Sequence, residues 1–332
     1  MEDNHARLER RNTTLTTIPN TSLPGRTAIV TGAGAGLGRA EALALAGQGA
    51  AVVVNDLGAG AHDVAGEIER SGGRAVAVLG DISDWTVAGT LVDAAVHTFG
   101  RLDIVVNNAG ITRDAMLFNM SEQQWDDVIA IHLKGHASLS RAAAIHWRAT
   151  AKASGGTVDG RVINTASEAF LLGGAGQANY AAAKAGIVAL TLSTSRALAK
   201  YGVTANAICP RARTEMTADV FSDDPHSGSL DIMAPERVGA FVAFLATPAA
   251  RTINGQVFIV YGDMVALMAP PTVQQQFTAA DGTFTVDELA DQVLPYISAL
   301  PPGQSYAATS IIALDTTGLT QSGLSGVSGQ AR

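Results

Sequence analysis

Short runs of β-branched and other apolar residues alternate along this chain with longer segments in which apolar residues recur at helical spacing. The short runs predict strands and the longer segments predict helices. Strands are expected at residues 27–31, 51–55, 74–79, 103–106, 161–165, 203–208 and 257–260. Helices are expected at residues 37–48, 61–72, 85–99, 121–148, 178–200 and 235–246. Because strands and helices alternate, the sequence predicts an α/β fold with a single doubly wound parallel sheet and helices on both faces.

The extent of this alternation predicts one domain at residues 23–264, with an extension on each side. Residues 1–22 have mixed charge and several threonines, and they are expected to form a mobile N-terminal arm. Residues 265–332, the C-terminal extension, are expected to contain one short amphipathic helix that starts near Thr285 or Asp287. The last dozen residues of the extension are expected to be a disordered tail.

Composition and charge argue against several classes of protein and of binding site. The chain has 332 residues, of which 47% are hydrophobic, and its net charge of −8 argues against nucleic acid as a partner. No apolar run reaches the roughly 18 residues of a membrane span. The single cysteine, Cys209, fits a reducing compartment and the polar N-terminus differs from a secretory signal, so a cytoplasmic location is expected. The seven histidines lack the spacing of metal ligands, so no metal site is expected.

The first predicted strand runs into a glycine cluster at residues 32–38, and a helical pattern follows the cluster. This context is typical of a dinucleotide-binding loop, because glycines let the backbone approach a pyrophosphate and a helix N-terminus supplies N–H donors. The second strand ends at Asp56, whose carboxylate can accept hydrogen bonds from both hydroxyls of an adenosine ribose and would repel a 2′-phosphate. The sequence therefore predicts NAD rather than NADP, although Asp56 could instead be a turn former before Leu57.

A second constellation consists of Tyr180 and Lys184, which share one face of a predicted helix, and Ser167 at the end of a predicted strand. A lysine ammonium near a phenol favours the phenolate, which would lower the tyrosine pKa from about 10 toward neutral pH. Tyr180 could then act as a general acid or base, with the Ser167 hydroxyl aimed at the same substrate oxygen.

Three features together resemble the short-chain dehydrogenase/reductase family across residues 23–264. They are the glycine loop at residues 31–38, the Asn-Asn-Ala-Gly sequence at residues 107–110, and the serine, tyrosine and lysine set described above. Residues 107–114 and 176–186 resemble the 3-oxoacyl-carrier-protein reductases. Similarity to the (3R)-hydroxyacyl-CoA dehydrogenase domain of peroxisomal multifunctional enzymes is found at residues 55–58, 131–135 and 209–214. The resemblance implies a Rossmann-like fold.

The resemblance also implies roles for individual residues. Tyr180 would be the acid or base, Lys184 would lower its pKa and bind the nicotinamide ribose, and Ser167 would orient the substrate oxygen. The residues implied to bind the cofactor are Gly32, Gly36, Leu37, Gly38, Asp56, Leu57, Asp81, Ile82, Asn108, Gly110, Tyr180, Lys184 and Thr214.

The chain departs from the family pattern at two places. His132 stands where most members have a catalytic asparagine that holds a proton-relaying water. The histidine could hold the same water or relay the proton itself, or it could be a buried structural residue bonded to the backbone. Arg211 replaces the usual glycine after Pro210, and with Arg213 it could meet phosphates of the cofactor or of a CoA ester, or stay solvated.

These observations predict an NAD(H)-dependent oxidoreductase that interconverts a secondary alcohol and a ketone. The resemblance favours a 3-hydroxyacyl or 3-oxoacyl thioester of CoA as the substrate, with a hydroxysteroid as the second candidate. A non-catalytic dinucleotide-binding sensor or scaffold is the alternative from another class, since a fold does not determine a function. Family members associate through long helices, so a homodimer or homotetramer is expected, with residues 121–148 and 178–200 as the interface. A mobile lid is expected at residues 215–234. A long polar loop is expected at residues 150–160.

Overall fold

The strands form one sheet in the computed structural model, which describes residues 20–213, 231–301, 304–308, 311 and 314. The strands are β1 Thr27–Thr31, β2 Ala51–Asp56, β3 Arg74–Leu79, β4 Ile104–Asn107, β5 Arg161–Thr165, β6 Thr204–Arg211, β7 Val257–Tyr261 and β8 Met264–Leu267. Within these described ranges the sheet order is β3-β2-β1-β4-β5-β6-β7-β8. The first seven strands are parallel, and β8 is antiparallel to β7. The order reverses between β1 and β4, which is where open α/β sheets bind their ligands.

Helices cover both faces of the sheet, as the alternating pattern predicts. The helices are α1 Gly36–Gly47, α2 Gly60–Arg70, α3 Val87–Phe99, α4 Glu122–Ile129, α5 Gly135–Ser154, α6 Ala169–Leu172, α7 Ala178–Leu198, α8 Pro235–Ala246 and α9 Val286–Ser298. None of the helices in the described part of the chain is long and apolar enough to cross a membrane.

Two hydrophobic clusters lie on opposite faces of the sheet, because successive residues of a strand point to opposite sides. On β1, Val30 packs with residues of α1, α2 and α8, whereas Ile29 packs with residues of α3 and α5. Trp147 of α5 is fully buried in the second cluster and donates its indole N–H to the Leu102 carbonyl at 2.8 Å. The doubly wound α/β fold predicted from the sequence is confirmed.

The predicted helix at residues 121–148 is interrupted in the structure. A π-helical turn at Ala130–Lys134 separates α4 from α5, and α5 continues to Ser154. The prediction of a loop at residues 150–160 is therefore wrong for residues 150–154, which are helical. A π turn widens the helix by one residue without changing its apolar content, so the sequence pattern does not reveal it.

The sheet extends past residue 264 through β8, which was not predicted. Its four residues pair with β7 from Phe258–Leu267 to Tyr261–Met264, so the sheet takes in the first residues of the C-terminal extension. The turn between the two strands contains Gly262, whose φ of 59° favours glycine. Short strands of this kind carry too few alternating positions to be distinguished from a loop by periodicity.

The C-terminal extension contains the predicted amphipathic helix, α9. Thr285 is its N-cap and forms a capping box with Glu288, so the first of the two predicted starting residues is the one used. Farther along, Ile311 is 5% exposed in a third cluster that includes Ile187 of α7. The predicted mobile arm up to residue 19 and the predicted disordered tail lie outside the described residues.

Candidate active site

A cavity of about 430 Å³ lies at the carboxyl edge of the sheet, beside the start of α7. Most of the residues predicted to form the site line this cavity. They are Gly32, Gly36, Leu37, Gly38, Asp56, Leu57, Asp81, Ile82, Asn108, Gly110, His132, Ser167, Tyr180 and Lys184. Thr214 lies outside the described residues. The structure thus places the predicted cofactor loop and the predicted catalytic side chains around one space.

The glycine loop is shaped by backbone requirements. Gly32 and Gly36 have φ values of 62° and 53°, in the left-handed region that favours glycine. A Cβ on Gly38 would lie 2.2 Å from the Gly32 carbonyl oxygen, so only glycine lets α1 start this close to the strand end. The Asn108 side chain donates to the carbonyl oxygens of Thr31 and Gly32 at 3.0 and 3.1 Å, which ties the end of β4 to the loop.

The start of α1 supplies donors to the cavity. Its first three residues line the cavity, and Ala35 before them forms no side-chain cap. Uncapped N–H groups and the helix dipole attract anionic oxygens. The close-packed glycines and this donor set fit the pyrophosphate of a dinucleotide.

Two carboxylates stand on the side of the cavity formed by β2 and β3. Asp56 accepts hydrogen bonds from the backbone N–H groups of Gly34 at 2.9 Å and Gly58 at 3.2 Å. The turn-forming role considered for Asp56 is therefore present. Asp81 accepts a bond from the Ser83 N–H at 2.8 Å. Each carboxylate has acceptor capacity beyond these bonds, which fits the ribose and adenine of a dinucleotide.

Ser167, Tyr180 and Lys184 converge at the inner end of the cavity. Tyr180 and Ser167 both line the cavity, and the Ser167 hydroxyl lies close enough to the phenol to lower its pKa. The Ser167 hydroxyl accepts a hydrogen bond from the Ala169 N–H at 3.2 Å, so it also satisfies a backbone donor. The Lys184 ammonium donates to the Thr165 carbonyl at 2.6 Å and lies 5.4 Å from the centroid of the Tyr180 ring.

Burial sets the protonation of this group. It raises the pKa of Tyr180 to about 12, against the opposing effect of the Ser167 hydroxyl. It lowers the pKa of Lys184 to about 7. The prediction that Lys184 brings the pKa of Tyr180 toward neutral is wrong for the protein alone, because the lysine is itself desolvated and bonds a carbonyl rather than the phenol. At neutral pH Tyr180 therefore carries its proton and can donate it.

His132 lies in the π turn, 1% exposed, beside the phenol of Tyr180. The two rings meet edge to face, with centroids 5.2 Å apart. Nε2 of His132 is 2.7 Å from the Ile111 oxygen and 3.0 Å from the Ile111 nitrogen, which makes it a backbone-bonded histidine in either tautomer. Burial, followed by the charge of Lys184, lowers the pKa of His132 to about 3, so its ring is neutral. Gly110 leaves room for the ring, since a Cβ there would lie 2.3 Å from Cε1.

Glu41 is a buried titratable residue that sequence reasoning missed. It lies on α1 with no exposed surface, and neither carboxylate oxygen has a hydrogen-bond partner among the described residues. Burial raises its pKa to about 8, against the opposing charge of Lys184. A glutamate between Ala40 and Ala42, in the apolar phase of a helix, is the signal that could have identified it.

The two alternatives predicted for Arg211 and Arg213 were contact with phosphates or full solvation. The structure shows neither, because each arginine is paired with a carboxylate. Arg211 forms two bonds with the carboxylate of Glu168, and Arg213 pairs with Asp231 at 2.8 Å. Of the predicted lid at residues 215–234, only the last residues are described. The described residues also contain no group of three or more side chains that could hold a metal ion.

This chain is similar to one protein family and to several known proteins. Residues 26–225 match the family described as short chain dehydrogenase. The chain is 54% identical over 315 residues to hydroxyacyl-CoA dehydrogenase ChsB1 of Mycobacterium tuberculosis, with 92% of this chain and 99% of that protein covered. It is 39% identical over 252 residues to 3-oxoacyl-(acyl-carrier-protein) reductase of Synechocystis, with 74% of this chain and 99% of that protein covered.

A third relative is a longer protein. The chain is 36% identical over 283 residues to the peroxisomal hydratase-dehydrogenase-epimerase of Saccharomyces cerevisiae, with 82% of this chain covered. The match covers 30% of that protein, so the chain corresponds to one part of it. The resemblances inferred from sequence motifs are confirmed by these three relatives.

Proposed function

This chain belongs to the short-chain dehydrogenase family, and we propose that it is an NAD(H)-dependent oxidoreductase interconverting 3-hydroxyacyl and 3-oxoacyl thioesters of CoA. The observation that carries the proposal is that Ser167, Tyr180 and Lys184 line the same cavity as the glycine loop, with the Lys184 ammonium 5.4 Å from the centroid of the Tyr180 ring. The thioester is proposed because a relative sharing 54% identity over 92% of this chain is named a hydroxyacyl-CoA dehydrogenase.

The side chains would divide the work of proton transfer. In reduction, Tyr180 donates its phenolic proton to the ketone oxygen, which the Ser167 hydroxyl orients. Lys184 lies directly behind the tyrosine ring and, with a pKa of about 7, can exchange a proton near neutral pH. Bound NAD(H) would supply or accept the hydride, and its pyrophosphate would lie on the start of α1. His132, neutral and in edge contact with Tyr180, is proposed to orient the phenol or hold a relaying water.

The first test is turnover. The purified protein is mixed with NAD and (3R)- or (3S)-hydroxyacyl-CoA of several lengths, beside a panel of hydroxysteroids, and NADH absorbance is followed. Thioester turnover is the expected result. Turnover of steroids alone would replace the thioester by a hydroxysteroid as substrate.

Tyr180→Phe separates an enzyme from a non-catalytic sensor. Removing the phenolic hydroxyl should lower kcat by about 100- to 10,000-fold, because the proton donor is lost, while the Kd for NAD stays within about twofold. Tyr201→Phe is the control, since Tyr201 lies in the 3₁₀ turn after α7 and does not line the cavity. Unchanged turnover in Tyr180→Phe would contradict the proposal, and NAD binding without turnover in any variant would favour a sensor.

Asp56 is proposed to select NAD, since its carboxylate faces the cavity. Asp56→Ser should shift the ratio of kcat/KM values for NAD and NADP toward NADP by about tenfold or more, because repulsion of a 2′-phosphate is removed. The exposed Asp63 on α2 provides the control Asp63→Ser, for which no shift is expected. A wild-type preference for NADP would overturn this assignment.

We also propose a cytoplasmic homodimer or homotetramer. The free, buried Cys209 fits a reducing compartment. Trp125, Ile145 and Leu192 are exposed large hydrophobic residues on α4, α5 and α7, the helices expected to meet a second copy. Light scattering after size exclusion should give a mass of two or four chains, and a monomer would contradict the assembly.

A further inference from the structure

One ion pair joins the end of β6 to the segment that follows β5, beside the cavity. Arg211, at the end of β6, donates from Nε to Oε2 of Glu168 at 2.6 Å and from Nη2 to Oε1 at 2.7 Å. The two side chains are 15% and 13% exposed. A bidentate, largely buried arrangement fixes both the distance and the orientation of the groups it joins.

The guanidinium of Arg211 has two further contacts. Nη2 donates to the Ile311 carbonyl at 2.9 Å, and the planar group lies 5.3 Å from the centroid of the Tyr261 ring. Arg211 thereby connects β6, the segment after β5, β7 and the C-terminal extension. Its rotamer is held from several sides, which is the requirement for a group that positions others.

The neighbours of both partners are residues of the proposed active site. Glu168 directly follows Ser167, and Arg211 stands between Pro210 and Ala212, which line the same cavity. The N–H of Ala169 donates to the Ser167 hydroxyl, so the backbone around Glu168 also holds the serine. A displacement of Glu168 would therefore displace the serine hydroxyl relative to the opposite cavity wall.

We propose that Arg211 and Glu168 are positioning residues that set the separation between Ser167 and the cavity wall formed by Pro210 and Ala212. The inference rests on the proposed function, in which Ser167 orients the substrate oxygen. In a hydride transfer the reacting atoms must lie within van der Waals contact and in line, and a shift of about 1 Å can cost about 100-fold in rate. Neither Arg211 nor Glu168 is among the residues that line the cavity, so the pair would support this geometry from outside the cavity.

A second bidentate ion pair, in which the arginine is more exposed, provides a control away from the cavity. Arg101 also forms two bonds with one carboxylate, from Nε and Nη2 to Asp103 at 2.8 and 2.6 Å. Asp103 precedes β4, so this pair lies at the opposite edge of the sheet from the cavity. Arg101→Met therefore reports what the loss of a bidentate pair does to this fold away from the site.

The experiment compares wild type, Arg211→Met, Glu168→Gln, the double variant and Arg101→Met by kcat, KM, Kd for NAD, and Tm. Arg211→Met should lower kcat by about 10- to 100-fold with the Kd for NAD within about twofold, and the double variant should be no worse than the single one. Arg211→Lys should recover part of kcat, because the ammonium keeps the positive charge beside Glu168. The recovery should be incomplete, because an ammonium does not reproduce the two parallel hydrogen bonds of the guanidinium. Equal kcat in wild type and Arg211→Met, or an equal loss in Arg101→Met, would overturn the proposal.

A crystal structure of Arg211→Met provides a second readout that does not depend on turnover. The distance between Ser167 and Pro210 should change by about 1 Å relative to wild type, and an unchanged distance would overturn the proposal. Absence of any wild-type turnover would instead contradict the proposed function, with this distance still deciding the positioning role. If Arg211→Met does not fold, Glu168→Gln, which keeps the size of the side chain, replaces it in both measurements.

Discussion

At the scale of single residues, burial determines the charge of the groups around Tyr180. Desolvation is the first cause of the pKa shift of Tyr180, Lys184, His132 and Glu41, and it moves each pKa toward the neutral form. Near neutral pH the Tyr180 phenol, the His132 ring and the Glu41 carboxyl are therefore mostly neutral, and Lys184 is partly protonated. A neutral phenol is the form that donates a proton to a ketone, so this environment favours the reductive step at neutral pH and the oxidative step at higher pH.

Glu41 should make stability depend on pH. Its pKa rises from 4.5 in an unfolded chain to about 8 in the fold, so the folded protein holds this proton more tightly. The resulting stabilisation is complete below about pH 4.5 and is lost as pH rises through about 8. In Glu41→Gln, the free energy of unfolding should therefore fall less between pH 5 and pH 9 than in wild type, by at most about 5 kcal/mol.

Urea denaturation of both proteins at a series of pH values measures this difference. Glu41 and Lys184 interact electrostatically, so the difference between the two proteins reports Glu41 together with its effect on Lys184. Glu67→Gln is the control, because Glu67 is partly exposed and paired with Arg39 at 2.7 Å. Parallel pH profiles for wild type and Glu41→Gln would show that Glu41 is not the desolvated acid that the structure describes.

The sequence predicted which of the described side chains lie together around the cavity, but it did not predict their ionisation. Tyr180 and Lys184 could be paired from helical spacing, and Ser167 could be added because strand ends of a parallel sheet meet at one edge. Burial of individual side chains depends on packing between distant segments, so the direction of the Tyr180 pKa shift could not be predicted. The same holds for the pairing of Arg211 with Glu168, which are 43 residues apart in the sequence.

At the scale of elements, β1 to β7 were predicted within a few residues because each is a short run of mainly apolar residues between helical segments. The end of β6 was the exception, since it continues to Arg211 through Pro210, a residue that usually signals the end of a strand. The π turn was missed because it does not change the apolar content of the helix, and β8 was missed because four residues carry too few alternating positions. The missed parts matter for the site, because the π turn carries His132 and the end of β6 carries Arg211.

Close packing of α1 against α8 depends on Gly239. A Cβ at this position would lie 2.8 Å from the Ala40 carbonyl oxygen, a backbone atom that cannot move without shifting α1. Gly239→Ala should therefore lower the free energy of unfolding by about 1–3 kcal/mol, measured by urea denaturation. Displacement of α1 would also move the glycine loop, so a weaker Kd for NAD is expected.

Gly66→Ala on α2 is the matched control, because a Cβ there has no neighbour within 4 Å. The added methyl group should stabilise the helix by up to about 1 kcal/mol, since alanine has the higher helix propensity. A destabilisation of Gly239→Ala no greater than that of Gly66→Ala would mean that the two helices are not in the contact described.

At the scale of the whole molecule, the C-terminal extension packs onto the domain next to the site. Ile311 lies in a cluster with Ala166, which precedes Ser167, and with Ile187 of α7. The Ala308 N–H donates to the Leu171 carbonyl of α6 at 3.1 Å. The catalytic domain and the part of the extension around Ile311 are therefore expected to unfold together, although the sequence pattern suggested a boundary at residue 264.

Ile311→Ala tests this coupling, because the isoleucine is 5% exposed in that cluster. Truncation of a buried isoleucine costs about 2–5 kcal/mol, whereas the same change at Ile297 on α9, which is 55% exposed, should cost less than about 1 kcal/mol. Calorimetry should show one transition in both variants, with Tm lowered by several degrees only in Ile311→Ala. Equal Tm values would mean that the extension does not pack on the cluster, and a second transition would mean that it unfolds independently. Because the Ile311 carbonyl also accepts a bond from Arg211, a loss of kcat in Ile311→Ala would connect this part of the C-terminal extension to the alignment of Ser167.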